Sequence, residues 1–472
     1  MKNLLNFSFL FYDYETFGKN PVLDKPAQFA CVRTDINLKI ISKPFVFYCY
    51  PSIDYFPDPE AVLITSITPQ YTRIHGMNES NFSKKIYDIF IQSNTCILGF
   101  NNILFDDEIT RNLFYRNFFD SYEWSWKKNN TRWDVINVIR AFYALRPEGI
   151  VWPKNKNNCV SFKLFDLVKK NKINYYSSHD ALSDVYSTIN LLKLVRNNNE
   201  KFFNFLFLIR KKKKLLLLIN KRKMKPLIYI SHYYGSKNKN IGRIFPLIFH
   251  KKNKNILIVF DLDRDYSSNF FLKNYYKFGN LNYLFSEGMR FIYLNKAPII
   301  LPTNVLRDID ISRLKLNEKR YLNNINLLKN FFNLKRRKKL SMLKFKKKKF
   351  LHSDCKLYKN FFSFKDIKKI KILRKLINLK NINNNIFIDD KRFKDLFFFF
   401  KARNYPNFLN KTEKIKWIKY LKNIFSKKNI KNYKKKIFIL KEKNKNNLKK
   451  NKLLNKLLLY IKYIKNIYNN FN

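Results

Sequence analysis

Two carboxylates near the N-terminus have the spacing of a metal site. Asp13 and Glu15 follow directly on an apolar run at residues 7–12, which is typical of a buried strand. Side chains alternate along a strand, so both carboxylates would face the same side. Neighbouring carboxylates repel each other unless a cation joins them, and hard oxygen ligands favour Mg²⁺ or Mn²⁺. We therefore predict that this strand forms one wall of a divalent-metal site, although Asp-x-Glu alone also fits a polar turn.

Two later motifs carry residues of the same chemistry. A second apolar run, at 96–100, is followed by Asp106, which we expect near the end of a strand. His179 and Asp184 lie in the segment 177–184, whose serine and aspartate residues are typical of a helix N-terminus. With this spacing Asp184 can point inward from a helix that runs to about residue 195. His179 would then lie at the mouth of the site, although a single histidine there also fits a cap or surface residue.

Taken together, these residues suit the hydrolysis of a phosphodiester by two metal ions. Carboxylates at positions 13, 15, 106 and 184 could hold two Mg²⁺ ions about 4 Å apart. One ion would activate water and the other would stabilise the leaving oxygen. His179 would accept the proton of the attacking water, since histidine changes charge near neutral pH. The sequence therefore predicts a metal-dependent nuclease.

The surrounding pattern predicts the elements that position these residues. Within residues 1–198, strand-like runs at 7–12, 29–33, 45–50 and 96–100 and a helix at 81–91 indicate an α/β fold in which helices pack on the faces of a sheet. Residues 199–350 suggest a small β domain with a basic helical connector, and residues 351–472 a helical domain. The expected elements there are strands at 227–231, 256–261 and 291–294, helices at 411–424 and 453–468, and a frayed loop at 441–451.

Charge and composition limit the partners and the compartment. Residues 1–200 carry 24 Lys and Arg against 20 Asp and Glu, so that +57 of the net charge of +61 falls in the rest of the chain. This excess suits a nucleic-acid partner, but a general enrichment in Lys, Asn and Ile also accounts for it. Five scattered cysteines predict reduced thiols in a cytoplasmic protein, and no segment is long enough to span a membrane.

The order Asp-x-Glu, Asp and His-x4-Asp resembles that of the DEDDh 3′→5′ exonucleases. The resemblance extends to the bacterial exonuclease I family, and it is dense over residues 9–195 and faint beyond about residue 425. The segments that carry it are 11–18, 24–30, 61–65, 105–112, 124–126 and 144–149. The resemblance implies an α/β, RNase H-like exonuclease domain with a mixed sheet, a small SH3-like β domain and a C-terminal helical domain. It also implies a monomeric enzyme that removes 5′-mononucleotides from the 3′ end of single-stranded DNA.

Residue types in the segment 118–126 suit a single-strand groove, because rings and cations alternate there. Either tryptophan of this segment, Trp124 or Trp126, also fits a core position. The family has arginine where this chain has Lys163, so a bidentate fork is replaced by a point charge, although Lys163 also fits a solvated residue. The residues expected to contact substrate are Glu15, Arg111, Tyr122, Trp126, Arg140 and Lys163.

The resemblance also implies a protein partner, the single-stranded-DNA-binding protein. Its acidic C-terminal tail would be held by Arg146 and Arg307. Two rival interpretations remain open from the sequence: a catalytically decayed nucleic-acid-binding protein, and a 3′→5′ exoribonuclease of the same superfamily. The complete set of four acids and one histidine argues against decay, since a decaying site should lose an acid first.

Overall fold

The computed structural model describes residues 7–174, 179–221, 225–266, 281–343, 352–378 and 388–469, which fall into two compact units. The first unit comprises Met1–Asn130, Tyr176–Tyr186 and Lys349–Asn472, and the second comprises Thr131–Tyr175 and Ser187–Lys348. The first unit thus contains both ends of the chain. The division predicted from the sequence instead places these ends in separate domains, at 1–198 and 351–472. The physical reason is a shared apolar core, in which Phe393 and Phe400 pack with Tyr115 and Phe118.

A mixed sheet organises the N-terminal part of the first unit, as predicted. Its strands are β1 (Ser8–Thr16), β2 (Pro26–Thr34), β3 (Phe45–Tyr48) and β4 (Thr95–Gly99), in the order β3-β2-β1-β4. β1 runs antiparallel to β2 and parallel to β4. β1 is longer than the predicted 7–12, because its pairing with β2 continues through Glu15, which lies opposite Gln28. Asp13 and Glu15 are therefore strand residues and do not follow the strand.

Helices cover the core face of this sheet. These helices are α3 (Glu79–Phe90) and α4 (Asp106–Arg116), which follow the shorter helices α1 (Pro59–Thr65) and α2 (Pro69–His75) in the chain. The side chains of Tyr12 and Tyr14 pack here against Phe82 on α3 and Phe114 on α4. Since neighbouring strand residues point to opposite faces, this packing leaves the alternate positions Asp13 and Glu15 on the other face of β1.

The C-terminal part of the first unit is helical, as predicted. Its helices are Phe364–Asn378, Lys391–Asn404, Lys411–Ile424, Lys427–Lys443 and Leu448–Asn469. The predicted helix 411–424 is confirmed, and 453–468 lies within the last helix. The frayed loop predicted for 441–451 is wrong, because most of that segment belongs to the last two helices. Their buried residues Ile437 and Leu454 pack in one cluster, which outweighs the Lys/Asn-rich composition.

The second unit contains a five-stranded antiparallel sheet. In spatial order its strands are Ile299–Pro302, Leu227–Ile230, Ile241–Phe249, Ile256–Asp261 and Met289–Tyr293, which include the three predicted ones. The unit also contains the strand Thr131–Asp134 and the helices Val135–Leu145, Leu164–Lys170, Glu200–Ile209, Lys212–Lys221, Leu281–Ser286, Asp308–Leu314, Glu318–Phe331 and Leu334–Ser341. The helix Ala181–Asn198 begins in the first unit and continues into the second. No helix in the described ranges combines the length and the apolar composition needed to cross a lipid bilayer.

Candidate active site

The two acids of β1 lie on the face opposite the tyrosines of this strand. Glu15 is 8% exposed and Asp13 is half-buried. Gly18 follows the strand where the chain must make room for Asp24, because a Cβ at position 18 would lie 2.1 Å from an Asp24 carboxylate oxygen. A glycine here therefore lets the Asp24 side chain lie against the backbone immediately behind the two acids.

Asp106 reaches the same strand from a different element than predicted. It does not end β4, which stops at Gly99, but begins α4 after an intervening turn. Its Oδ1 accepts a hydrogen bond from the backbone N–H of Tyr14 at 3.3 Å, between the two acids of β1. The neighbouring Asp107 instead accepts from the Tyr12 hydroxyl at 2.6 Å on the core face. Of the two adjacent aspartates, Asp106 is therefore the one placed beside Asp13 and Glu15.

His179 and Asp184 arrive together at the start of the helix Ala181–Asn198. Potential ligand atoms of Glu15, His179 and Asp184 all lie within 4.8 Å of one another. His179 is exposed, as expected for a residue at the mouth, and its backbone φ of +59° is in the left-handed region. Of the serine and aspartate residues predicted to begin this helix, Ser177 and Ser178 lie outside the described residues. Asp180 caps the helix, since its Oδ1 accepts from the Ser183 N–H at 3.0 Å.

Crowding of these acids changes their protonation. Burial, followed by the charges of Asp106 and Asp184, raises the pKa of Asp13 well above its usual range. Burial, followed by the same two carboxylates, raises the pKa of Glu15 to about 8. Oxygen donors that repel each other this strongly fit a divalent cation, which removes the repulsion and favours the charged form. Asp13, Glu15, Asp106 and Asp184 are the residues that would hold it.

The raised pKa values predict how metal-free stability depends on pH. The folded acids bind protons that the unfolded chain has released above about pH 4, so stability falls as the pH rises from about 4 towards 8. A divalent cation should therefore raise the melting temperature more at about pH 8.5 than at about pH 5.5. Glu15→Gln should reduce this pH dependence in thermal unfolding with EDTA, and the exposed Asp88→Asn should not. If the melting temperatures of all three proteins depended equally on pH, the pKa values of the site acids would not be raised.

The predicted groove residues of the first unit have different surroundings. Trp126 is 66% exposed, whereas Trp124 is 1% exposed and belongs to the core. Arg111 is largely buried, and its Nη1 donates to Glu108 at 2.9 Å while its guanidinium lies 5.5 Å from the centroid of the half-buried Tyr122 ring. Trp126 thus exposes most of its surface to solvent, whereas Arg111 already has an acidic partner.

The predicted residues of the second unit fall into two groups. Lys163 is exposed and directly precedes the helix Leu164–Lys170, while Arg140 is largely buried and donates to the Asn137 side chain at 2.9 Å. Arg146 and Arg307 share Asp310, with Nη1 and Nε at 3.3 and 2.9 Å from its Oδ2. The two arginines are thus brought together, but each already has an acidic partner.

Comparison with known proteins agrees with this architecture. Residues 10–192 match the family model "Exonuclease", residues 210–344 match "Exonuclease I SH3-like domain", and residues 352–464 match "Exonuclease I C-terminal domain". The exodeoxyribonuclease I of Buchnera aphidicola is 47% identical, over 97% of this chain and 96% of its own.

Two solved structures are similar over nearly the whole chain. One is Escherichia coli exonuclease I in complex with a dA16 oligonucleotide, which has a TM-score of 0.90, is 38% identical, and matches over 97% of this chain and 100% of its own. The other is SSB/exonuclease I in complex with an inhibitor, with a TM-score of 0.89, 39% identity, and coverage of 97% and 99%. The fold and the site define a DEDDh-type 3′→5′ exonuclease. More narrowly, the chain belongs to the exodeoxyribonuclease I family.

Proposed function

We propose that this chain removes 5′-mononucleotides one at a time from the 3′ end of single-stranded DNA. The observation that carries the proposal is the cluster of Asp13, Glu15, Asp106 and Asp184 with His179 at one end of β1. These four acids would hold two Mg²⁺ ions, for which Mn²⁺ can substitute. The similar Escherichia coli enzyme binds an oligonucleotide, which supports the choice of substrate.

The residues of the chain divide the work of hydrolysis. The bound ions supply an activated water and stabilisation of the leaving oxygen. His179, exposed at the mouth and close to Glu15 and Asp184, accepts the proton of the attacking water. Glu15 also contacts the terminal nucleotide. Glu15 and Asp106 are buried while Asp13 and Asp184 are half-buried, so the surroundings hold the acids in place before the reaction occurs.

The DNA strand is held by rings and cations. Trp126 and Tyr122 would stack on bases, while Arg111, Arg140 and Lys163 would contact phosphates. Stacking on aromatic rings tolerates any base, as a sequence-independent exonuclease requires. The large exposed fraction of Trp126 supports this role.

Two rivals can be separated from this proposal in one degradation assay. A decayed binding protein would retain single-strand affinity without hydrolysis, and an exoribonuclease would prefer RNA. We expect hydrolysis of a DNA oligonucleotide blocked at its 5′ end, none of the same oligonucleotide blocked at its 3′ end, and little of matched RNA. Chelation with EDTA should abolish the activity. Preference for RNA, or degradation from the 5′ end, would overturn the assignment.

Lys163 gives a prediction about phosphate binding. Arginine offers two parallel donors in a fixed plane, whereas lysine offers one strongly hydrated charge. Lys163→Arg should therefore tighten substrate binding or raise turnover by up to about tenfold, corresponding to roughly 1.4 kcal/mol. Lys163→Ala should weaken both, and the loss should shrink at high salt because the charge is screened. Identical kinetics of the three proteins at low salt would assign Lys163 to the solvated surface.

A protein partner is also proposed, the acidic C-terminal tail of the single-stranded-DNA-binding protein. The similar exonuclease I structure that includes SSB supports it, as does the pairing of Arg146 and Arg307 around Asp310. A tail carboxylate would compete with Asp310 and Glu148 for these guanidinium groups. We expect Arg307→Ala to weaken a tail peptide by at least about tenfold. Equal affinity for an amidated peptide would rule out a clamp for the terminal carboxylate.

We further propose three domains, at 1–198, 199–350 and 351–472, acting as a cytoplasmic monomer. The three separate family-model matches support the division. All five cysteines are free, which agrees with a reducing compartment. Size-exclusion chromatography with light scattering tests the monomer.

A further inference from the structure

The side chain of Gln28 connects the central sheet to the segment that carries His179 and Asp184. Gln28 is 1% exposed and lies on β2 directly opposite Glu15 of β1. Its Nε2 donates to Asp180 Oδ2 at 3.0 Å and to the Tyr48 hydroxyl at 3.2 Å, and its Oε1 accepts from the Ala181 backbone N–H at 3.2 Å. One buried amide therefore holds both the side chain and the backbone at the first turn of the helix Ala181–Asn198.

The two bonds from Gln28 to Asp180 and Ala181 hold the chain where its backbone conformation changes. His179 has a left-handed φ of +59°, a conformation that non-glycine residues keep only where the surroundings enforce it. Asp180 follows at once and also caps the helix through its other oxygen. The two bonds from Gln28 thus fix the point at which a left-handed turn becomes the helix that carries Asp184.

We propose that Gln28 is a positioning residue for hydrolysis, which holds His179 and Asp184 in register with Glu15. This inference rests on the proposed function. Because Gln28 and Glu15 are direct cross-strand neighbours, a shift at Gln28 would change the separation of Glu15 from the helix residues. Gln28 is buried and its amide bonds Tyr48, Asp180 and Ala181, so its effect on hydrolysis would pass through these neighbours. A misplacement of about 1 Å in such a site can cost about 10²-fold in rate.

The hydrogen bond between Gln28 and Asp180 joins an amide donor to a carboxylate acceptor, so the amide and the carboxylate can be exchanged without changing the net charge. Gln28→Glu would place two carboxylates against each other, each able only to accept. In the double variant Gln28→Glu/Asp180→Asn, the new amide would donate to the new carboxylate, which would still accept from the Ala181 N–H. The asparagine oxygen would still cap the helix. The pair keeps one negative charge and both bonds to the start of the helix, with donor and acceptor reversed between positions 28 and 180. The Tyr48 hydroxyl, which accepts from Gln28, can donate to the new carboxylate.

The test compares kcat, KM and melting temperature of full-length variants on a single-stranded oligonucleotide with Mg²⁺. Gln28→Met and Gln28→Glu should lower kcat by about 10- to 100-fold with KM within about twofold. The double variant should have a higher kcat than Gln28→Glu but stay below wild type, because both variants place a carboxylate opposite Glu15. Asn117→Met removes a buried amide whose hydrogen bonds go to Glu79 and Leu113 instead of to this helix, and it should lower the melting temperature without lowering kcat.

Each result bears on the inference separately from the proposed function. Wild-type kcat in Gln28→Met, or a double variant no better than Gln28→Glu, would overturn the positioning role while leaving the exonuclease intact. If Gln28→Glu does not fold, Gln28→Met and the double variant still decide the matter. An inactive wild-type protein would instead reject the proposed function.

Discussion

Asp13→Ala is expected to reduce turnover at least about 10³-fold while single-stranded DNA still binds. The expected loss corresponds to several kcal/mol of charge stabilisation that disappears with a metal ligand. Binding should persist because rings and cations outside the acid cluster hold the strand. Turnover is measured on an oligonucleotide with Mg²⁺, and affinity by fluorescence anisotropy in EDTA. Glu15→Ala, Asp106→Ala and Asp184→Ala should behave alike.

A matched control separates loss of a ligand from loss of negative charge. Asp88 is a half-exposed carboxylate on α3 that pairs with Lys84, so Asp88→Ala should retain wild-type turnover. The metal-free Asp13→Ala protein should unfold at a higher temperature than metal-free wild type, because one repelling carboxylate has been removed. Near-wild-type hydrolysis by any of the four site variants with Mg²⁺ would refute the assignment of these acids as metal ligands.

His179→Ala is expected to lower kcat by about 10² to 10⁴, the range typical of a lost general base. Affinity for single-stranded DNA should change little, since the histidine acts on the proton and does not hold the strand. Residual activity should rise with pH, because hydroxide increasingly replaces the missing base. Single-turnover kinetics across a pH series measure both effects.

His75 provides the control for this substitution. It is an exposed histidine on α2 whose ring lies 4.4 Å from that of Tyr71. His75→Ala should leave kcat and its pH profile unchanged. If His179→Ala were also indistinguishable from wild type, His179 would be a residue of the turn without a part in proton transfer.

The strands that position the site could be predicted because their signals are local. The apolar run at 7–12 and the acids behind it are contiguous in sequence, and period-two alternation predicts that Asp13 and Glu15 share a face. The family resemblance carried the order of the acids along the chain. The place of Asp106 was wrong, since a turn of several residues separates β4 from α4 and no periodicity marks its length.

Other features depend on contacts between residues distant in sequence. Gln28 and Asp180 are 152 positions apart, so no local pattern connects them, although each lies in a recognisable motif, at 24–30 and 177–184. Trp124 and Trp126 have the same residue type and similar neighbours, yet one is buried and the other exposed. Whether such a residue is buried depends on tertiary packing and cannot be read from composition. The same holds for the secondary structure of 441–451, most of which belongs to two helices despite its Lys/Asn-rich composition.

The central claim is hydrolysis from the 3′ end, and a time course on a 5′-labelled single-stranded DNA oligonucleotide with Mg²⁺ tests it most directly. We predict a ladder of labelled products that shortens one nucleotide at a time, together with release of 5′-mononucleotides. Asp13→Ala should leave the oligonucleotide at full length under the same conditions. Release of the label as a mononucleotide in the first turnovers, or the appearance of internal fragments, would contradict the account.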